Sequence, residues 1–513
     1  MKILSGKQIR ETDAYTIAHE PITSEGLMER AAKAFTDAFI ETWSVKWKIV
    51  VFCGCGNNGG DGLAIARMLL GRKYHVDVYI VKTSDQFSKD FLINEERLTK
   101  LHASQVHLAD ISNLTDFEKD TVVIDAIFGT GLNRPAEGIA ATVINAINDL
   151  NLEVVSVDIP SGLYTDNANH STHGFNRGNV IKAQQTFTFQ LPKLSFFFCS
   201  NVEYVGNWKV LDISLDKDFI ESRETNYFYT TSADARNILK PRLRCSNKGS
   251  YGHALVWAGS YGKIGAAQLS VHGCMNAGAG LTTTYIPKCG YVIFQTALPE
   301  AMVLTDDDES RLTAFPDLSK YSAIGIGPGI DTGLGTAKAL LDLLHEAKEI
   351  PAVIDADALN ILAMNKKALL KLPKHSVLTP HPKEFERLAG PAESDWKRQE
   401  MASDFAKEFN CILVLKGAYT SINLPNGQSW FNTTGNPGMA KGGTGDSLTG
   451  IITGLLAQKY SVEEAAILGV YLHGAAGDIA AEKYGEWSMS ASDLIGCLGE
   501  GFNSLSGENY FRI

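Results

Sequence analysis

A glycine-rich segment in the second half of the chain has the composition of an anion-binding loop. Residues 435–446 read GNPGMAKGGTGD and run into a helical pattern over 447–458. Glycines at a helix N-terminus let several backbone N–H groups point toward one place, which is the arrangement that stabilises a transferring phosphoryl group. Asp446, in the first turn, could take a proton from a substrate hydroxyl and make it a nucleophile. An ordinary helix cap would explain Asp446 alone but would not require the preceding glycines.

Three polar loops follow β-like runs in the first half. They are 54–62 (GCGNNGGDG), 125–132 (DAIFGTGL) and 158–162 (DIPSG). The first is neither a Walker loop nor a dinucleotide fingerprint, because no Gly-Lys-Ser/Thr follows and the glycine spacing differs. Asn58, Asp125 and Ser161 offer amide, carboxylate and hydroxyl oxygens, which suit an alkali or alkaline-earth cation rather than zinc. A tight turn or a cap would explain any one loop, but three together predict a site.

Further loops follow strands in the second half, at 259–267, 325–329, 355–360 and 379–385. The small residues at 265–267 would let either a ligand or a neighbouring helix approach closely, and the sequence leaves both readings open. A single histidine is usually structural. His381, however, stands between two prolines at a strand end, so we expect it to contact substrate.

The elements that must position these loops alternate between strands and helices, which is typical of parallel α/β sheets. The predicted strands are 47–53, 75–81, 121–127, 152–159, 185–190 and 207–213, then 252–259, 321–326, 351–354, 376–378 and 411–415. Three helical stretches end the chain, at 446–458, 462–483 and 490–505. We therefore predict an α/β protein of two domains, 1–217 and 248–513, joined by a polar linker at 218–247. Ligands bind such sheets at the carboxyl ends of the strands.

Composition excludes several classes of protein. The 513 residues include 47 Lys and Arg against 58 Asp and Glu, giving a net charge of −11. This balance disfavours a nucleic-acid or membrane partner that is held by basic surface. No secretion signal and no long apolar run is visible, and the eight cysteines are scattered. The sequence therefore predicts a cytoplasmic protein. Phosphorylated small molecules remain possible ligands, because backbone amides can bind phosphate without a basic surface.

The first half resembles the NAD(P)H-hydrate epimerase family. The segments that carry the resemblance are 27–31 (LMERA), 57–62, 125–131, 157–162 and Pro192-Lys193, and it covers most of 1–215. It implies a Rossmann-like three-layer α/β/α domain that interconverts the R and S epimers of a hydrated nicotinamide ring. It also implies potassium bound by Asn58, Asp125 and Ser161. The hydrate would contact Asn57, Asn58, Gly59, Gly60, Asp61, Gly129, Thr130, Gly131, Leu132, Asn133, Arg134, Pro135 and Asp158.

Epimerisation at a hydroxylated ring carbon requires reversible loss of hydroxide or water, then addition to the other face. That chemistry needs an acid/base group near the ring. Asp158 is the candidate catalytic group, with Lys193 as an electrostatic helper. Lys193 could equally be an exposed lysine after a strand.

The second half resembles the NAD(P)H-hydrate dehydratase family of ribokinase-like proteins. The resemblance spans about 225–505 and rests on 248–249, 259–267, 327–329, 355–360, 379–384, 416–417 and 436–446. It implies a ribokinase-like α/β domain whose anion hole is Gly443, Thr444 and Gly445, with Asp446 as catalytic base. The hydrate would contact Ala266, Gly329, His381 and Asp446. The adenine nucleotide would bind Lys416, Gly417, Ala418, Tyr419, Thr420 and Gly445.

The two resemblances occur in the order found in fused bifunctional NAD(P)H-hydrate repair enzymes. This implies that the substrates are the hydrated forms of NADH and NADPH, called NADHX and NADPHX. It also implies that ADP, the usual phosphoryl donor of the fused family, or ATP is the co-substrate. The implied cofactors are K⁺ and Mg²⁺. A homo-oligomer is expected. Two alternatives stay open. The anion hole alone would also suit a kinase for a vitamin-type alcohol, and the first domain could be a nucleotide-binding module without catalysis.

Overall fold

The structure is a computed structural model that describes residues 1–101, 105–108, 114, 117–166 and 179–506. The chain divides into two compact units, Lys2–Tyr227 with Ser394–Trp396, and Met1 with Phe228–Glu393 and Lys397–Ile513. Among the helices of the described ranges, none combines the length and apolar character needed to cross a lipid bilayer.

The first unit contains seven strands within the described residues and helices that flank them. Its strands are β1 (Lys48–Cys53), β2 (His75–Val81), β3 (Gln105–Leu108), β4 (Thr121–Ala126), β5 (Glu153–Val157), β6 (Gln185–Phe189) and β7 (Asn207–Leu211). Its helices are α1 (Gly6–His19), α2 (Ser24–Thr42), α3 (Asn57–Gly71), α4 (Lys89–Thr99), α5 (Gly138–Asp149), α6 (Val202–Val205) and α7 (Lys217–Ser222), with 3₁₀ turns at Leu194–Phe197 and Cys199–Asn201.

The first sheet is parallel throughout, in the order β3-β2-β1-β4-β5-β6-β7. Alternate residues of a strand face opposite sides. Val51 packs in one apolar cluster with Phe35 of α2, whereas Val50 packs in another with Val143 of α5. The predicted Rossmann-like three-layer α/β/α fold is thereby confirmed. Strand order reverses between β1 and β4, and such a point opens a crevice at the carboxyl ends of the strands.

The second unit is built around a longer mixed sheet. Its strands are β8 (Tyr227–Tyr229), β9 (His253–Trp257), β10 (Leu281–Ile286), β11 (Met302–Thr305), β12 (Ala323–Ile326), β13 (Ala352–Ile354), β14 (Ser376–Leu378), β15 (Ile412–Leu415), β16 (Ser421–Asn423) and β17 (Ser429–Phe431). Its helices are α8 (Ser232–Ile238), α9 (Ile264–Asn276), α10 (Tyr291–Ala297), α11 (Leu334–Glu346), α12 (Ala356–Met364), α13 (Pro382–Ala389), α14 (Asp395–Glu408), α15 (Thr444–Ala457), α16 (Val462–Tyr484), α17 (Ala491–Gly496) and α18 (Leu498–Leu505). Short 3₁₀ turns lie at Lys248–Tyr251, Lys288–Gly290, Lys366–Lys371 and Pro437–Met439.

The order of the second sheet is β11-β10-β9-β12-β13-β14-β15-β16-β17-β8. In this order, the first seven strands, from β11 through β10 and β9 to β15, are parallel to one another. Strand β16 is antiparallel to both β15 and β17. The segment 218–247, predicted as a polar linker, contains most of α7 and all of β8 and α8. One sequence expectation differs from this structure. The single helix predicted over 490–505 is two helices that meet at Cys497.

Helices α9 and α15 pack backbone against backbone. A Cβ atom on Gly450 would lie 1.9 Å from the carbonyl oxygen of Ser270, and one on Gly454 would lie 2.6 Å from that of Cys274. From the α9 side, a Cβ atom on Gly273 would lie 2.6 Å from the carbonyl oxygen of Ser447. Larger side chains would force the two helices apart. The close contact therefore fixes the position of α15, whose N-terminus carries the glycine-rich loop.

Candidate active sites

A cavity of about 880 Å³ lies at the carboxyl ends of β1, β4 and β5 in the first unit. Its position is the crevice expected where the strand order reverses. The cavity brings together most of the predicted first-half residues, which come from three separate loops. Those that line it are Asn57, Asn58, Asp61, Gly129, Thr130, Gly131, Leu132, Asn133, Arg134, Asp158 and Lys193.

Lys193 and Asp158 form a buried ion pair in this cavity. The side chain of Lys193 has no exposed surface, and its Nζ lies 2.7 Å from Oδ1 of Asp158. The reading of Lys193 as an exposed lysine is therefore wrong. The same Oδ1 accepts hydrogen bonds from the backbone N–H of Phe189 at 3.0 Å and from the Thr188 hydroxyl at 3.2 Å. No described residue donates to Oδ2, so that oxygen is available to a ligand.

The backbone of Asp158 also shows that the carboxylate is held in place. Its φ of +67° lies in the left-handed region, which is costly for a residue with a Cβ atom. The strand β5 ends at Val157, and the Asp158 N–H donates to the carbonyl of Phe187 at 2.8 Å. Such strain persists only where the surrounding structure enforces it, and it is concentrated at functional sites.

Two further carboxyls face the cavity. Burial raises the pKa of Asp61 well above its ordinary value, and the nearby carboxylates of Asp158, Asp13 and Asp90 raise it further. Burial and Asp158 raise the pKa of Asp13 to about 6, against the lowering effects of Lys193 and Arg10. Sequence reasoning missed Asp13, which α1 brings into the cavity. Its signal was a carboxylate placed between Ile9 and Ile17 at helical spacing.

The predicted potassium ligands meet around Phe128. The Asn58 amide donates to the Phe128 carbonyl at 3.0 Å, and the Phe128 N–H donates to the Ser161 hydroxyl at 2.8 Å. That hydroxyl in turn hydrogen-bonds to Oδ1 of Asp125. Asp125 has no exposed surface, and burial raises its pKa although hydrogen bonds from Ser161 and Ser156 act in the opposite direction. The three side chains therefore lie together, as the sequence predicted.

Three predicted hydrate contacts do not line the cavity: Gly59, Gly60 and Pro135. A Cβ atom on Gly59 would lie 1.8 Å from the carbonyl oxygen of Gly54, and one on Gly60 would lie 2.9 Å from Cε of Met28. The backbone contact therefore requires glycine at 59, whereas a Cβ atom on Gly60 would displace the end of the Met28 side chain. Both glycines shape the loop that presents Asn57, Asn58 and Asp61.

In the second unit, the carboxylate of Asp355 contacts both Lys416, which follows β15, and Thr449 of α15. Its Oδ1 lies 2.8 Å from Nζ of Lys416, and its Oδ2 accepts a hydrogen bond from the Thr449 hydroxyl at 2.7 Å. Glu384 lies 4.0 Å from the same Lys416 Nζ. Burial alone would lower the pKa of Lys416, but Asp355 and Glu384 raise it. Lys416 therefore carries its charge beside α15, where a Cβ atom on Gly445 would be 3.3 Å from its Nζ.

The carboxyl of Asp446 has no hydrogen-bond partner among the described residues, although its backbone carbonyl accepts from the Ser270 hydroxyl. Burial raises its pKa to about 7, with a further increase from Asp355 and an opposing effect from Lys416. It lies in the first turn of α15, next to the backbone N–H groups of Gly443, Thr444 and Gly445. Within the described chain, those three N–H groups donate no hydrogen bond. A base that titrates near neutrality thus lies beside an unsatisfied set of donors.

The side chain of Thr444 holds the glycine-rich loop in place. Its hydroxyl donates to the carbonyls of Met439 and Lys441, each at 2.9 Å. Its carbonyl lies 2.9 Å from Nε2 of the buried His473. Burial lowers the pKa of His473 to about 4, so this ring is neutral at physiological pH. Of the three predicted anion-hole residues, Thr444 can therefore offer its N–H rather than its hydroxyl.

His381 forms the N-cap of α13. Its Nδ1 accepts from the N–H groups of Lys383 at 3.1 Å and Glu384 at 3.3 Å, which requires an unprotonated Nδ1. Burial and the Lys416 charge lower its pKa. Nε2 then carries the proton, and the ring is 45% exposed. His381 thus has a structural role and still offers one N–H to a ligand.

The remaining predicted residues lie on loops of the same unit. Gly329 has a φ of +65°, and a Cβ atom there would be 3.1 Å from that of Ala266, so these two predicted contacts are neighbours. The loop of Lys416, Gly417, Ala418, Tyr419 and Thr420 joins β15 to β16, and the Thr420 hydroxyl donates to the Gly417 carbonyl at 3.1 Å. Asp355 and Glu384 were not predicted as site residues. Both stand in loops that follow strands, which was the signal for them.

Comparison with known proteins agrees with this geometry. The NAD(P)H-hydrate dehydratase family model matches residues 254–498, and the YjeF-related protein N-terminus model matches residues 24–195. A bifunctional NAD(P)H-hydrate repair enzyme Nnr from Moorella thermoacetica is 37% identical over 97% of this chain and 96% of its own. The enzyme of the same name from Thermofilum pendens is 32% identical over 98% and 97%.

Among solved structures, the ADP/ATP-dependent NAD(P)H-hydrate dehydratase from Bacillus subtilis, co-crystallised with ATP/Mg²⁺, is 32% identical. It covers 55% of this chain and 100% of its own, with a TM-score of 0.47. The full-length identity to the repair enzymes, together with the two family matches in this order, decides the family. The chain therefore belongs to the family of bifunctional NAD(P)H-hydrate repair enzymes.

Proposed function

We propose that the cavity of the first unit interconverts the R and S epimers of NAD(P)HX, and that the site around Asp446 dehydrates the S epimer with ADP or ATP as phosphoryl donor. One observation carries the second assignment. A carboxyl with a pKa of about 7 lies in the first turn of a glycine-preceded helix beside a buried lysine. A base near neutrality beside free N–H donors suits deprotonation of a hydroxyl and transfer of a phosphoryl group to it.

In the first site, Asp158 acts as an acid/base group and Lys193 fixes its orientation. The ion pair occupies Oδ1 of Asp158 and leaves Oδ2 to exchange a proton with the hydrate. Loss of the hydroxyl makes the ring cationic, and the carboxylate stabilises that charge. Addition of water to the opposite face then gives the other epimer. Asn57, Asn58 and Asp61 of the first loop and the residues from Gly129 to Arg134 hold the hydrate and its nucleotide.

The residues around Phe128 fit a potassium ion. All of the donors are oxygens, and Oδ1 of Asn58 receives no hydrogen bond from the described residues although Asn58 is only 8% exposed. Such an oxygen suits a hard monovalent cation better than zinc. Asn58, Asp125 and Ser161 would hold the ion, which when bound would fix the loop that contains Gly129. A Cβ atom on Gly129 would be 3.2 Å from Cβ of Asn58, so the two loops already touch.

In the second site, Asp446 takes the proton of the hydrate hydroxyl while that oxygen attacks the terminal phosphorus of the nucleotide. The N–H groups of Gly443, Thr444 and Gly445 donate to the phosphoryl oxygens, and Lys416 contributes positive charge. Phosphate then leaves the ring with the bonding electrons, and loss of a ring proton restores NAD(P)H. With ADP the products are AMP and phosphate, so atoms balance. Hydroxide alone would be a far poorer leaving group.

Magnesium would shield the phosphate charges of the nucleotide in this site. Asp355, Asp357 and Glu384 are the carboxylates close enough to Asp446 to raise its pKa, and they are the groups that could hold the ion or its waters. Ala266, Gly329 and His381 would contact the hydrate. The residues from Lys416 to Thr420, with Gly445, would hold the nucleotide.

The test uses purified protein and a mixture of R- and S-NADHX, and follows the near-ultraviolet absorbance of NADH. Each reaction contains Mg²⁺, either K⁺ or Na⁺, and ADP, ATP or no nucleotide. Full recovery with a nucleotide, faster than spontaneous epimerisation, is the expected result. Recovery that stops at the S fraction would make the first unit a binding module. No recovery with any nucleotide would favour a kinase for a vitamin-type alcohol, which product analysis with such alcohols would detect.

A further inference from the structure

Helix α1 contributes to the first cavity although it precedes the matched family segment, which begins at residue 24. Its cavity-lining residues recur at helical spacing and are Ile9, Arg10, Thr12, Asp13, Ala14 and Ile17. The helix is tied to the rest of the unit at both ends. The Gly6 N–H donates to Asp166 at 2.8 Å, and the Asp216 N–H donates to the Thr16 hydroxyl at 3.0 Å. One face of α1 is therefore a fixed wall of the cavity.

Asp13 is the acidic residue on that wall. No described residue hydrogen-bonds to its carboxyl, and Arg10 of the same helix instead donates to the Thr130 carbonyl at 3.2 Å. The charges that act on Asp13 from other elements are the Asp158 carboxylate and the Lys193 ammonium. Asp61 of α3 is coupled to it in turn, and Asp90 and Arg134 also line the cavity. The Asp13 carboxyl thus faces the cavity without a hydrogen bond or ion pair to any residue that the structure describes.

Epimerisation needs proton transfer at both faces of the ring. The hydroxyl leaves from one face and water adds to the other, so a single fixed carboxyl cannot serve both without rotation of the ring. Asp158 comes from the end of β5, and its position is fixed by Lys193. Asp13 comes from α1, a different wall of the same cavity. The two carboxyls therefore meet the ligand from different elements.

Building on the proposed epimerase function, we propose that Asp13 is the second catalytic acid/base group of the first site. It gives its proton to the departing hydroxyl, the carbon–oxygen bond breaks with its electrons on oxygen, and water is released. The ring cation then accepts a water oxygen on the opposite face, and Asp158 takes the proton that this water loses. The proton on Asp158 then returns to Asp13 through solvent, which restores the starting state. In the reverse direction the two carboxyls exchange roles. Protons and oxygen balance over the cycle, and water is the only other reactant.

The pKa of Asp13 is consistent with its proposed role as both proton donor and proton acceptor. Burial and Asp158 raise the pKa of Asp13 to about 6, so the group can both hold and release a proton near neutrality. Burial and the carboxylates of Asp158, Asp13 and Asp90 also raise the pKa of Asp61 well above its ordinary value, which favours its protonated form.

The experiment compares Asp13→Asn with Glu11→Gln in the full chain. Glu11 lies on the same helix outside the cavity and is 42% exposed, with only a 3.8 Å contact to Lys7, so it is a charge-matched control. The substrate is R-NADHX with ADP, Mg²⁺ and K⁺, and the unaltered dehydratase site of each variant converts the S epimer as it forms. We expect Asp13→Asn to lower kcat/KM for epimerisation by about 100-fold or more. Its pH profile should also lose the inflection near pH 6 that the wild type and Glu11→Gln show.

A third variant, Asp13→Glu, separates chemistry from folding. It keeps a carboxyl and should regain at least part of both the rate and the inflection, while thermal unfolding reports the stability of each variant. Asp13→Asn within about threefold of wild type would overturn the inference and leave the epimerase function intact. Equal loss in Asp13→Glu and Asp13→Asn, with lowered unfolding temperatures, would also overturn it. If wild type fails to convert the R epimer faster than the spontaneous rate, the proposed function itself is wrong.

Discussion

The ammonium group of Lys193 lies 2.7 Å from Oδ1 of Asp158, and it has no exposed surface. The lysine also donates to the carbonyl of Leu191 at 3.1 Å, so the charge is shared between a carboxylate and the backbone. Removing one member of a buried pair leaves the other charge without compensation, which costs more than the intact pair contributes. The pair therefore ties the stability of the first unit to the geometry of its cavity.

Replacing Lys193 by Met should show what the ion pair contributes to stability and what it contributes to epimerisation. We expect Lys193→Met to destabilise the first unit by about 3–5 kcal/mol, because Asp158 stays buried without its partner. Epimerisation should fall by about 100-fold or more, while dehydration of S-NADHX is unchanged. The double variant Asp158→Asn/Lys193→Met should recover stability without recovering activity. Chemical unfolding and both assays measure this, and a stable, active single variant would contradict the role of the pair.

Replacing Asp446 by Asn should abolish dehydration and stabilise the fold at high pH. The raised pKa means that the folded protein holds a proton which the unfolded chain loses above about pH 4. Ionisation of Asp446 therefore lowers stability as pH rises from about 4 to about 7. We expect a higher unfolding temperature for Asp446→Asn than for wild type at pH 8, and no difference at pH 4. Dehydration should fall by about 100-fold or more, and epimerisation should persist. A lower unfolding temperature at pH 8 would argue against a buried, unpaired carboxylate.

The pH profile of dehydration should report Asp446 and its neighbour Asp355. Because the base must be ionised, kcat/KM should rise with pH through about 7. Asp355→Asn removes a negative charge that raises the pKa of Asp446 and releases Lys416 to lower it, so the rising limb should move to lower pH. Asp342→Asn, at an exposed residue of α11 paired with Lys338, is the control and should not move it. An unmoved limb in Asp355→Asn would rule out this coupling.

Two glycine substitutions should distinguish the nucleotide site from the loop around it. A Cβ atom on Gly445 would lie 3.3 Å from Nζ of Lys416, whereas one on Gly442 would meet nothing within 4 Å. We expect Gly445→Ala to raise KM for the nucleotide about tenfold, which corresponds to about 1.4 kcal/mol. Gly442→Ala should change it less than twofold. Equal effects of the two substitutions would place the nucleotide elsewhere.

The loops of both sites were predictable because each follows its strand directly in the sequence. In a parallel sheet, strand ends lie at one edge, so the meeting of Asn58, Asp125 and Ser161 followed from their positions at or beyond the carboxyl ends of three strands. The strands β3, β8, β10, β11, β16 and β17 were not predicted. Those at Ser421–Asn423 and Ser429–Phe431 have three residues each, too few for a period of two to be recognised.

What could not be predicted depends on contacts between residues far apart in the chain. Nothing near Lys193 in the sequence indicates that its side chain is buried, since its partner lies 35 residues away. Asp13 becomes part of a cavity only when α1 packs on loops that follow more than 100 residues later, as in the contact of Arg10 with Thr130. Asp355 and Lys416 are separated by 61 residues. The sequence predicts which loops are polar, but it does not predict which charges neutralise one another.

The glycine contacts between α9 and α15 have a consequence for the speed of the proposed phosphoryl transfer. Two backbones in direct contact have no side chain between them that could change rotamer and let one helix slide. The N–H groups at the start of α15 therefore keep one direction before and after charge builds up on the phosphoryl oxygens, and no free energy is lost in turning dipoles toward it. In water, solvent molecules would have to reorient for each turnover. In this protein the N–H groups take up their orientation when the chain folds, so they need not reorient during each turnover.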